Sequence, residues 1–167
     1  MENIPDVAYA KGEEYERVYH GCSQCVVAAL QDAFGVRNDD VFKAATALAG
    51  GAGLVGDSGC GAYSGAILVM GQFVGRERDD FADPEGVRYK SHEMARKLRE
   101  RFIEAYGTVI CRDIQTKVMG RPFYLPDPDE AEKFHEAGAH DHHCPMVVGK
   151  AARWAAQIIL EEGLPLE

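Results

Sequence analysis

Four cysteines are the residues of this sequence best able to do chemistry, and each stands where a helix is predicted to begin. They are Cys22, Cys60, Cys111 and Cys144. A helix N-terminus carries unpaired N–H groups and a partial positive charge, and both favour a thiolate. Because the thiolate is the form of cysteine that attacks substrates and binds metals, the placement predicts lowered thiol pKa values. Pro145 prefers the first position of a helix, which places Cys144 at an N-cap.

The spacing of these four cysteines predicts that they meet in space. One helix running out and one running back fit between each consecutive pair, and helices joined by short loops pack antiparallel. Every second helix then begins at the same end of a bundle. Soft thiolates suit an iron–sulfur cluster, zinc or copper(I), and four of them complete a [2Fe–2S] or a [4Fe–4S] cluster.

Cys25 is a further candidate ligand because it forms a C-x-x-C with Cys22, and residues three apart share a helix face. A buried core cysteine is an equally weighted alternative. Val26 stands where a covalent haem motif requires histidine, and no βαβ pattern surrounds the pair. These two features argue against haem attachment and against a thioredoxin-like domain.

Histidines crowd the segment ahead of Cys144. We take His142 and His143 as candidate metal ligands or proton carriers, since histidine with cysteine binds zinc and other transition metals. We interpret His135 and His140 as part of a solvated polar turn. The spacing of this segment matches no strict zinc motif.

A glycine-dense loop precedes the second of the four cysteines. Gly59, Gly61 and Gly65 are candidate cofactor-binding positions, because glycine lets backbone approach a cluster or a neighbouring helix closely. For Gly65, tight helix packing is at least as good an explanation. Residues 51–56 spell G-x-G-x-x-G, but the preceding segment is predicted to be helical, whereas a dinucleotide fingerprint requires a strand there. We therefore expect a flexible loop beside the cysteines.

Helical spacing dominates the chain, and strand signals are nearly absent. The sequence predicts an all-α protein, a compact bundle of about five to seven helices with a cysteine cluster at one end, in a single domain over residues 1–167. Asp83 is expected to cap the longest helix, with Pro84 at its first position. The predicted helical segments are 7–19, 22–34, 39–49, 60–73, 84–106, 111–119, 129–137 and 144–163.

Composition narrows the class of protein. The 167 residues are 46% hydrophobic, which is enough for a core without disulfide bonds. The net charge of −9 argues against nucleic acid and against anionic membranes as partners. The sequence shows no signal peptide and no apolar segment that predicts a membrane span. We therefore expect a cytoplasmic protein whose thiols are kept reduced.

These residues also carry a resemblance to a known family. Cys22-Ser23-Gln24, the segment Gly59-Cys60-Gly61-Ala62-Tyr63-Ser64-Gly65 and single cysteines at 111 and 144 resemble the C_GCAxxG_C_C family of redox-active proteins, over about residues 10–162. The resemblance implies a redox-active helical domain, and an iron–sulfur cluster is a natural expectation for it. Cys25 is not part of the four-cysteine pattern.

Three functions follow, in order of preference. The first is an electron-transfer protein that binds an iron–sulfur centre through the four cysteines and serves a redox partner protein, with a homodimer compatible with the sequence. The second is a metal-free thiol–disulfide oxidoreductase or redox sensor that pairs Cys22 with Cys60, or Cys111 with Cys144. The third is a module that holds zinc or copper. If the protein is an enzyme, it is an oxidoreductase.

Overall fold

The computed structural model describes residues 3–164, and in these residues the chain is all-helical, without a strand. The prediction of about five to seven helices is too low, because each of the eight segments predicted to be helical forms a helix, including the two short ones on either side of the proline-containing loop at 122–126. The eight α-helices are α1 (Ile4–Tyr19), α2 (Cys22–Phe34), α3 (Asp39–Ala44), α4 (Gly61–Phe73), α5 (Arg88–Tyr106), α6 (Cys111–Met119), α7 (Pro128–Glu136) and α8 (Cys144–Glu161).

Two helices are shorter than the sequence predicts. The segment expected to reach residue 49 ends as α3 at Ala44 and continues in a 3₁₀ turn, Thr46–Leu48. The helix expected from Pro84 begins only at Arg88, because residues 84–86 form a turn. Asp83 still caps it from a distance, since its carboxylate accepts hydrogen bonds from the backbone N–H groups of Val87 and Arg88.

Small residues let the first and last helices approach closely. Ala8 and Gly12 lie on the buried face of α1, and a Cβ at Gly12 would lie 3.2 Å from the backbone oxygen of Val148 and 3.4 Å from the Cβ of Ala152, both on α8. On the other side, α2 packs against α4, and the buried Ser23 hydroxyl donates to the Ala45 carbonyl at 2.7 Å. The core between these helices is apolar and close-packed. Its largest fully buried hydrophobic side chains are Leu30, Met70, Met94, Leu98, Phe102, Ile158 and Ile159.

A second, smaller cluster packs beside the main core. Phe123 and Phe134 meet edge to face at 5.5 Å between ring centroids, and Ala139 completes the buried set. Cys144 packs against this cluster, so α7 and the π-helical turn Ala139–His143 together support the start of α8. Within the described residues, no helix is long and apolar enough to cross a membrane.

Glu162 anchors the end of α8 to α5. Its side chain is 8% exposed and forms ion pairs with Lys90 and Lys97, and these hydrogen bonds lower the pKa of the Glu162 carboxyl. A lowered pKa in the folded state stabilises the fold above the unfolded pKa, and that stabilisation is lost as the pH falls through the folded value. We expect Glu162→Gln to lower the thermal unfolding midpoint at pH 7, by an amount that shrinks below about pH 4.5, the ordinary glutamate pKa.

The control for this prediction is Glu161→Gln, at the exposed neighbouring position of the same helix. We expect it to leave the unfolding midpoint nearly unchanged at every pH. A difference between Glu162→Gln and the natural protein that is equally large at pH 3 and pH 7 would show that the carboxylate charge is not what stabilises this contact.

Candidate metal centre

The structure brings the four predicted cysteines into the lining of one cavity, called the cysteine cavity below. Cys22, Cys111 and Cys144 are the first residues of α2, α6 and α8, and Cys60 is the N-cap of α4. Cys144 thus lies one position further into its helix than the sequence predicts, because the π-helical turn runs directly into α8. The cysteine cavity measures about 80 Å³. One water needs roughly 10–15 Å³ on the same scale, so the cavity has room for several atoms.

A single antiparallel bridge fixes two of the cysteines relative to each other. Gly59 pairs with Ile110, one residue before Cys60 and Cys111 respectively. The Cys60 N–H donates to the Val109 carbonyl at 2.7 Å, and the Cys111 N–H donates to the Ser58 carbonyl at 2.9 Å. Since both backbones are held, the starts of α4 and α6 cannot move apart without breaking these bonds.

The glycine loop forms a left-handed turn, and its expected flexibility stays a prediction. Five consecutive residues, 50–54, have φ between 62° and 76°. Only glycine adopts this region freely, and here even Ala52 and Leu54 do so. The turn is closed by its own hydrogen bonds, including Gly53 N–H to the Ala47 carbonyl at 2.8 Å. Because α3 and a 3₁₀ turn precede it, the G-x-G-x-x-G lacks the strand that dinucleotide binding requires.

This turn covers the cysteine cavity from one side. Gly50 and Leu54 line the cavity, and the Gly50 backbone N–H favours the thiolate form of Cys22, which lowers the pKa of that thiol. A Cβ at Gly51 would lie 2.8 Å from the Cβ of Cys111, so the backbone of the turn packs directly on that cysteine. Glycine is therefore required at position 51 both for its positive φ and for this close approach.

Cys22 and Cys60 are neighbours in the cysteine cavity. The Cys60 side chain, followed by burial, raises the pKa of the Cys22 thiol well above its ordinary value. Gly61 lies directly against Cys22, because a Cβ at position 61 would collide with the Cys22 sulfur and lie 3.0 Å from the Ser23 nitrogen. The start of α4 is thus closely fitted to the start of α2.

The prediction of lowered thiol pKa values at the helix N-termini is wrong for three of these cysteines. Burial raises the pKa of Cys111 to about 12 and the pKa of Cys144 well above its ordinary value, and nearby Glu16 adds to the second effect. The loss of hydration outweighs the helix N-terminus because a buried thiolate is costly without a compensating cation. Gln115 opposes the effect weakly, since its Nε2 lies 3.4 Å from the Cys111 sulfur.

The spacing of the sulfurs limits what they can hold as they stand. Among the described residues, no three cysteine sulfurs lie mutually within 4.8 Å. A tetrahedral zinc site with Zn–S bonds of about 2.3 Å places its sulfurs about 3.8 Å apart. The four cysteines are therefore gathered but more widely spread than a single zinc ion requires.

The further ligand candidates divide between the cavity and its surroundings. His143 lines the cysteine cavity, whereas His142 is exposed and does not. Cys25 is buried outside the cavity, where its thiol donates to the His20 carbonyl at 3.0 Å. The interpretation of His140 as a solvated residue is wrong, because its ring is half-buried and lines the cavity.

The three predicted cofactor-binding glycines lie around the cysteine cavity but do not line it. The glycines that line the cavity are Gly21 and Gly50. Gly59 belongs to the antiparallel bridge, and Gly61 contacts Cys22. Gly65 packs on the backbone of α2, at Ser23, which is the helix-packing alternative considered for it. A cofactor contact at these three positions stays a prediction.

Sequence reasoning missed two residues of the cysteine cavity that a careful use of helical spacing could have found. Glu16 follows Ala8 and Gly12 at intervals of four, on the buried face of α1. Gln115 follows Cys111 by four residues on α6, and its amide also accepts the Phe123 N–H at 2.8 Å. Both are buried polar side chains beside the four cysteines.

The fold and the cavity define a helical protein with four cysteines gathered at one end of the bundle. The chain belongs to the C_GCAxxG_C_C family, whose model matches residues 20–158 and which is described as "Putative redox-active protein". No curated protein and no solved structure gives a significant match to the chain. Membership supports a redox role for the four cysteines, since the motif that names the family contains them.

Proposed function

We propose that Cys22, Cys60, Cys111 and Cys144 hold an iron–sulfur cluster that transfers electrons to and from a partner protein. The observation that carries this proposal is the lining of the cysteine cavity, where four cysteines from four separate helix starts meet. When bound, such a cluster accepts and returns one electron at a time. The protein residues supply its ligands and determine its surroundings.

The size of the cavity and the spread of its sulfurs favour a cluster over a single ion. A cluster contains several metal and sulfide atoms and places its thiolate ligands further apart than one zinc ion does. A cavity of about 80 Å³ with no three cysteine sulfurs within 4.8 Å, among the residues described, agrees with that requirement. The zinc or copper module considered from the sequence would need the sulfurs to move together.

Charge favours a bound metal centre over four metal-free thiolates at this place. Glu16 is buried beside Cys22 and Cys144, so four thiolates here without a cation would concentrate negative charge in a dry site. The raised thiol pKa values express that cost. Iron cations would offset it, and the Gly50 N–H and the Gln115 amide would stabilise the remaining negative charge on sulfur.

The left-handed turn is where a partner protein would approach the centre. Leu54 lines the cysteine cavity and is also 44% exposed, and the adjoining Val55 is 38% exposed. A cluster behind this turn would be separated from solvent by a single layer of residues. An apolar contact at such a surface suits the brief encounters of electron-transfer partners, whose interfaces are small.

Reversible reduction tests this proposal. We expect anaerobically purified protein to show visible absorption that falls when dithionite is added and returns on careful reoxidation. Cys25→Ser is the matched control, because Cys25 lies outside the cavity, and we expect it to behave like the natural protein. A visible spectrum that dithionite leaves unchanged would contradict electron transfer at this site.

A second candidate function is favoured by the contact between Cys22 and Cys60. Oxidation would join these two sulfurs in a disulfide bond and release two protons, with two electrons passing to an oxidised dithiol partner that is itself reduced. The raised pKa of Cys22 slows this reaction, because only the thiolate attacks. This candidate leaves Cys111 and Cys144 without a role, so we rank it second.

The disulfide candidate has its own test. Metal-free protein is oxidised mildly with glutathione disulfide, digested without reduction and analysed by mass spectrometry. The candidate predicts a peptide pair linked through Cys22 and Cys60. Finding both residues in their thiol form, while an exposed reporter peptide with a free cysteine is oxidised in the same tube, would reject it.

A further inference from the structure

A second group of metal-binding side chains lies beside the cysteine cavity. Glu16 of α1, His20 just after α1 and His140 of the π-helical turn each place one ligand atom within 4.8 Å of the other two. Two imidazoles and one carboxylate are nitrogen and oxygen donors, which differ in kind from the four thiols. We call this group the Glu–His site.

The backbone around His20 fixes one imidazole for binding. His20 ends α1 with φ 62° and ψ 179°, a conformation that non-glycine residues rarely adopt. Its Nδ1 lies 2.9 Å from the Glu16 carbonyl oxygen. Because a carbonyl only accepts hydrogen bonds, Nδ1 carries the proton and Nε2 keeps its lone pair. A ring nitrogen that donates to a backbone carbonyl while the other remains free is the usual state of a metal-binding histidine.

Each of the other two side chains has one buried polar atom without a hydrogen-bond partner in the described residues. Glu16 is 2% exposed, and its Oε2 has no hydrogen-bond partner in the described part of the chain. The Nδ1 of His140 is buried and equally unpaired there, 3.7 Å from the Glu16 Oε1, which is too far for a hydrogen bond. A buried carboxylate left in this way is costly. One cation placed between the three side chains would satisfy both groups.

Aromatic contacts hold His140 toward this position. Its ring centroid lies 3.9 Å from that of His20 and 5.4 Å from that of Phe134, which it meets edge to face. Glu16 and His140 line the cysteine cavity, while His20 lines an open groove together with Tyr15 and Gln24. The Glu–His site therefore lies between the cysteine cavity and the groove, and His20 is its residue on the groove side.

We infer that Glu16, His20 and His140 bind a divalent transition-metal ion of the zinc or ferrous-iron class. Two histidines and one carboxylate are the ligands of several zinc enzymes and of non-haem iron sites, both of which keep coordination positions open for water or substrate. Exposure of His20 on the groove leaves room for such a small ligand. The inference does not depend on the iron–sulfur proposal, since it uses none of the four cysteines.

Cobalt(II) is the probe that tests this inference, because its visible bands report nitrogen and oxygen ligands, and thiolate ligands add intense near-ultraviolet absorption. Metal-free natural protein is titrated with cobalt(II) chloride under anaerobic, reducing conditions that contain no competing chelator. We expect one equivalent to bind with weak visible bands and without the thiolate absorption. We also expect Cys60→Ser to bind this equivalent unchanged.

Substitutions within the Glu–His site complete the test. We expect His20→Ala and His140→Ala each to weaken cobalt(II) binding by roughly 100-fold or more, because loss of even a supporting residue costs 10–100-fold. His142→Ala is the matched control, an exposed histidine of the same segment, and should bind as the natural protein does. His20 is itself exposed, so its loss should leave the fold intact.

Three results would overturn the inference. They are the absence of stoichiometric cobalt(II) binding, binding that survives both histidine substitutions, and a spectrum dominated by thiolate absorption that Cys60→Ser abolishes. None of them bears on whether iron and sulfide assemble on the cysteines. Failure here is therefore distinguishable from failure of the proposed function.

Discussion

Cys60→Ser is expected to abolish the iron–sulfur centre while leaving the helical fold in place. Serine keeps the size of the side chain but replaces a soft thiolate with a hydroxyl that binds iron poorly. Even the loss of a supporting residue lowers metal affinity 10–100-fold, so we expect this ligand variant to retain at most about a tenth of the iron. Iron and acid-labile sulfide are measured on protein purified anaerobically beside the natural chain.

The fold of Cys60→Ser should survive because its backbone supports do not depend on sulfur. The N–H of residue 60 bonds to Val109, and the Gly59–Ile110 bridge is made by backbone atoms. Far-ultraviolet circular dichroism of the variant should match that of the natural protein in its metal-free form. Full iron and sulfide content in this variant would remove Cys60 from the ligand set.

Cys25→Ser is the control that separates a ligand from a nearby thiol. Cys25 is buried three residues after Cys22, but its thiol donates to the His20 carbonyl and lies outside the cysteine cavity. We expect this variant to keep its iron and sulfide. If Cys25→Ser lost the centre and Cys22→Ser did not, Cys25 and not Cys22 would be the ligand from the C-x-x-C.

Gly65→Ala is expected to produce the largest loss of stability among single methyl additions in α4. A Cβ at this position would collide with the Ser23 carbonyl oxygen and lie 2.6 Å from Cγ1 of Val26, both on α2. Since backbone cannot yield as a flexible side chain does, α4 must move away from α2. Overpacking of this kind costs about 1–3 kcal/mol in the free energy of unfolding. Urea denaturation of the reduced, metal-free protein measures it.

Gly71→Ala in the same helix is the matched control. A Cβ at Gly71 meets nothing within 4 Å, so only the backbone preference of the residue changes. Alanine is favoured over glycine in a helix interior by about 1 kcal/mol, and the variant should be more stable by roughly that amount. Effects of the same sign and size in both variants would show that the contact between α2 and α4 is not what requires glycine at position 65.

The helical class and the placement of the cysteines could be predicted because both depend on local signals. Apolar residues recur at helical spacing, and Gly35 and Gly107 end α2 and α5 where the pattern stops. Cys22 and Cys111 are the first residues of the helices predicted to begin there. Short connections then favour antiparallel neighbours, from which a shared end for the cysteines follows.

The thiol pKa values could not be predicted, because they depend on burial, which is a tertiary property. A helix start predicts a stabilised thiolate, but Cys144 lies under the second hydrophobic cluster and near Glu16, and both effects oppose ionisation. The left-handed turn could not be predicted from the sequence either. Ala52 and Leu54 adopt positive φ only because their neighbours and the packing on Cys111 require it.

The Glu–His site could not be predicted from the sequence for a third reason. His140 is more than a hundred residues from Glu16 and His20 along the chain, and their meeting depends on the packing of α1 against the π-helical turn. Nothing local distinguishes His140 from His142. The two histidines differ only in the folded turn, where the His140 ring lines the cavity and the His142 ring is exposed.

Iron and acid-labile sulfide, assayed together with the visible spectrum of the anaerobically purified natural protein, test the central claim most directly. We predict a coloured protein with equal amounts of iron and sulfide, two or four of each per chain, bound through Cys22, Cys60, Cys111 and Cys144. A colourless protein that also takes up no iron and sulfide on reconstitution would contradict the claim. The contact between Cys22 and Cys60 would then make thiol–disulfide exchange the better account of this site.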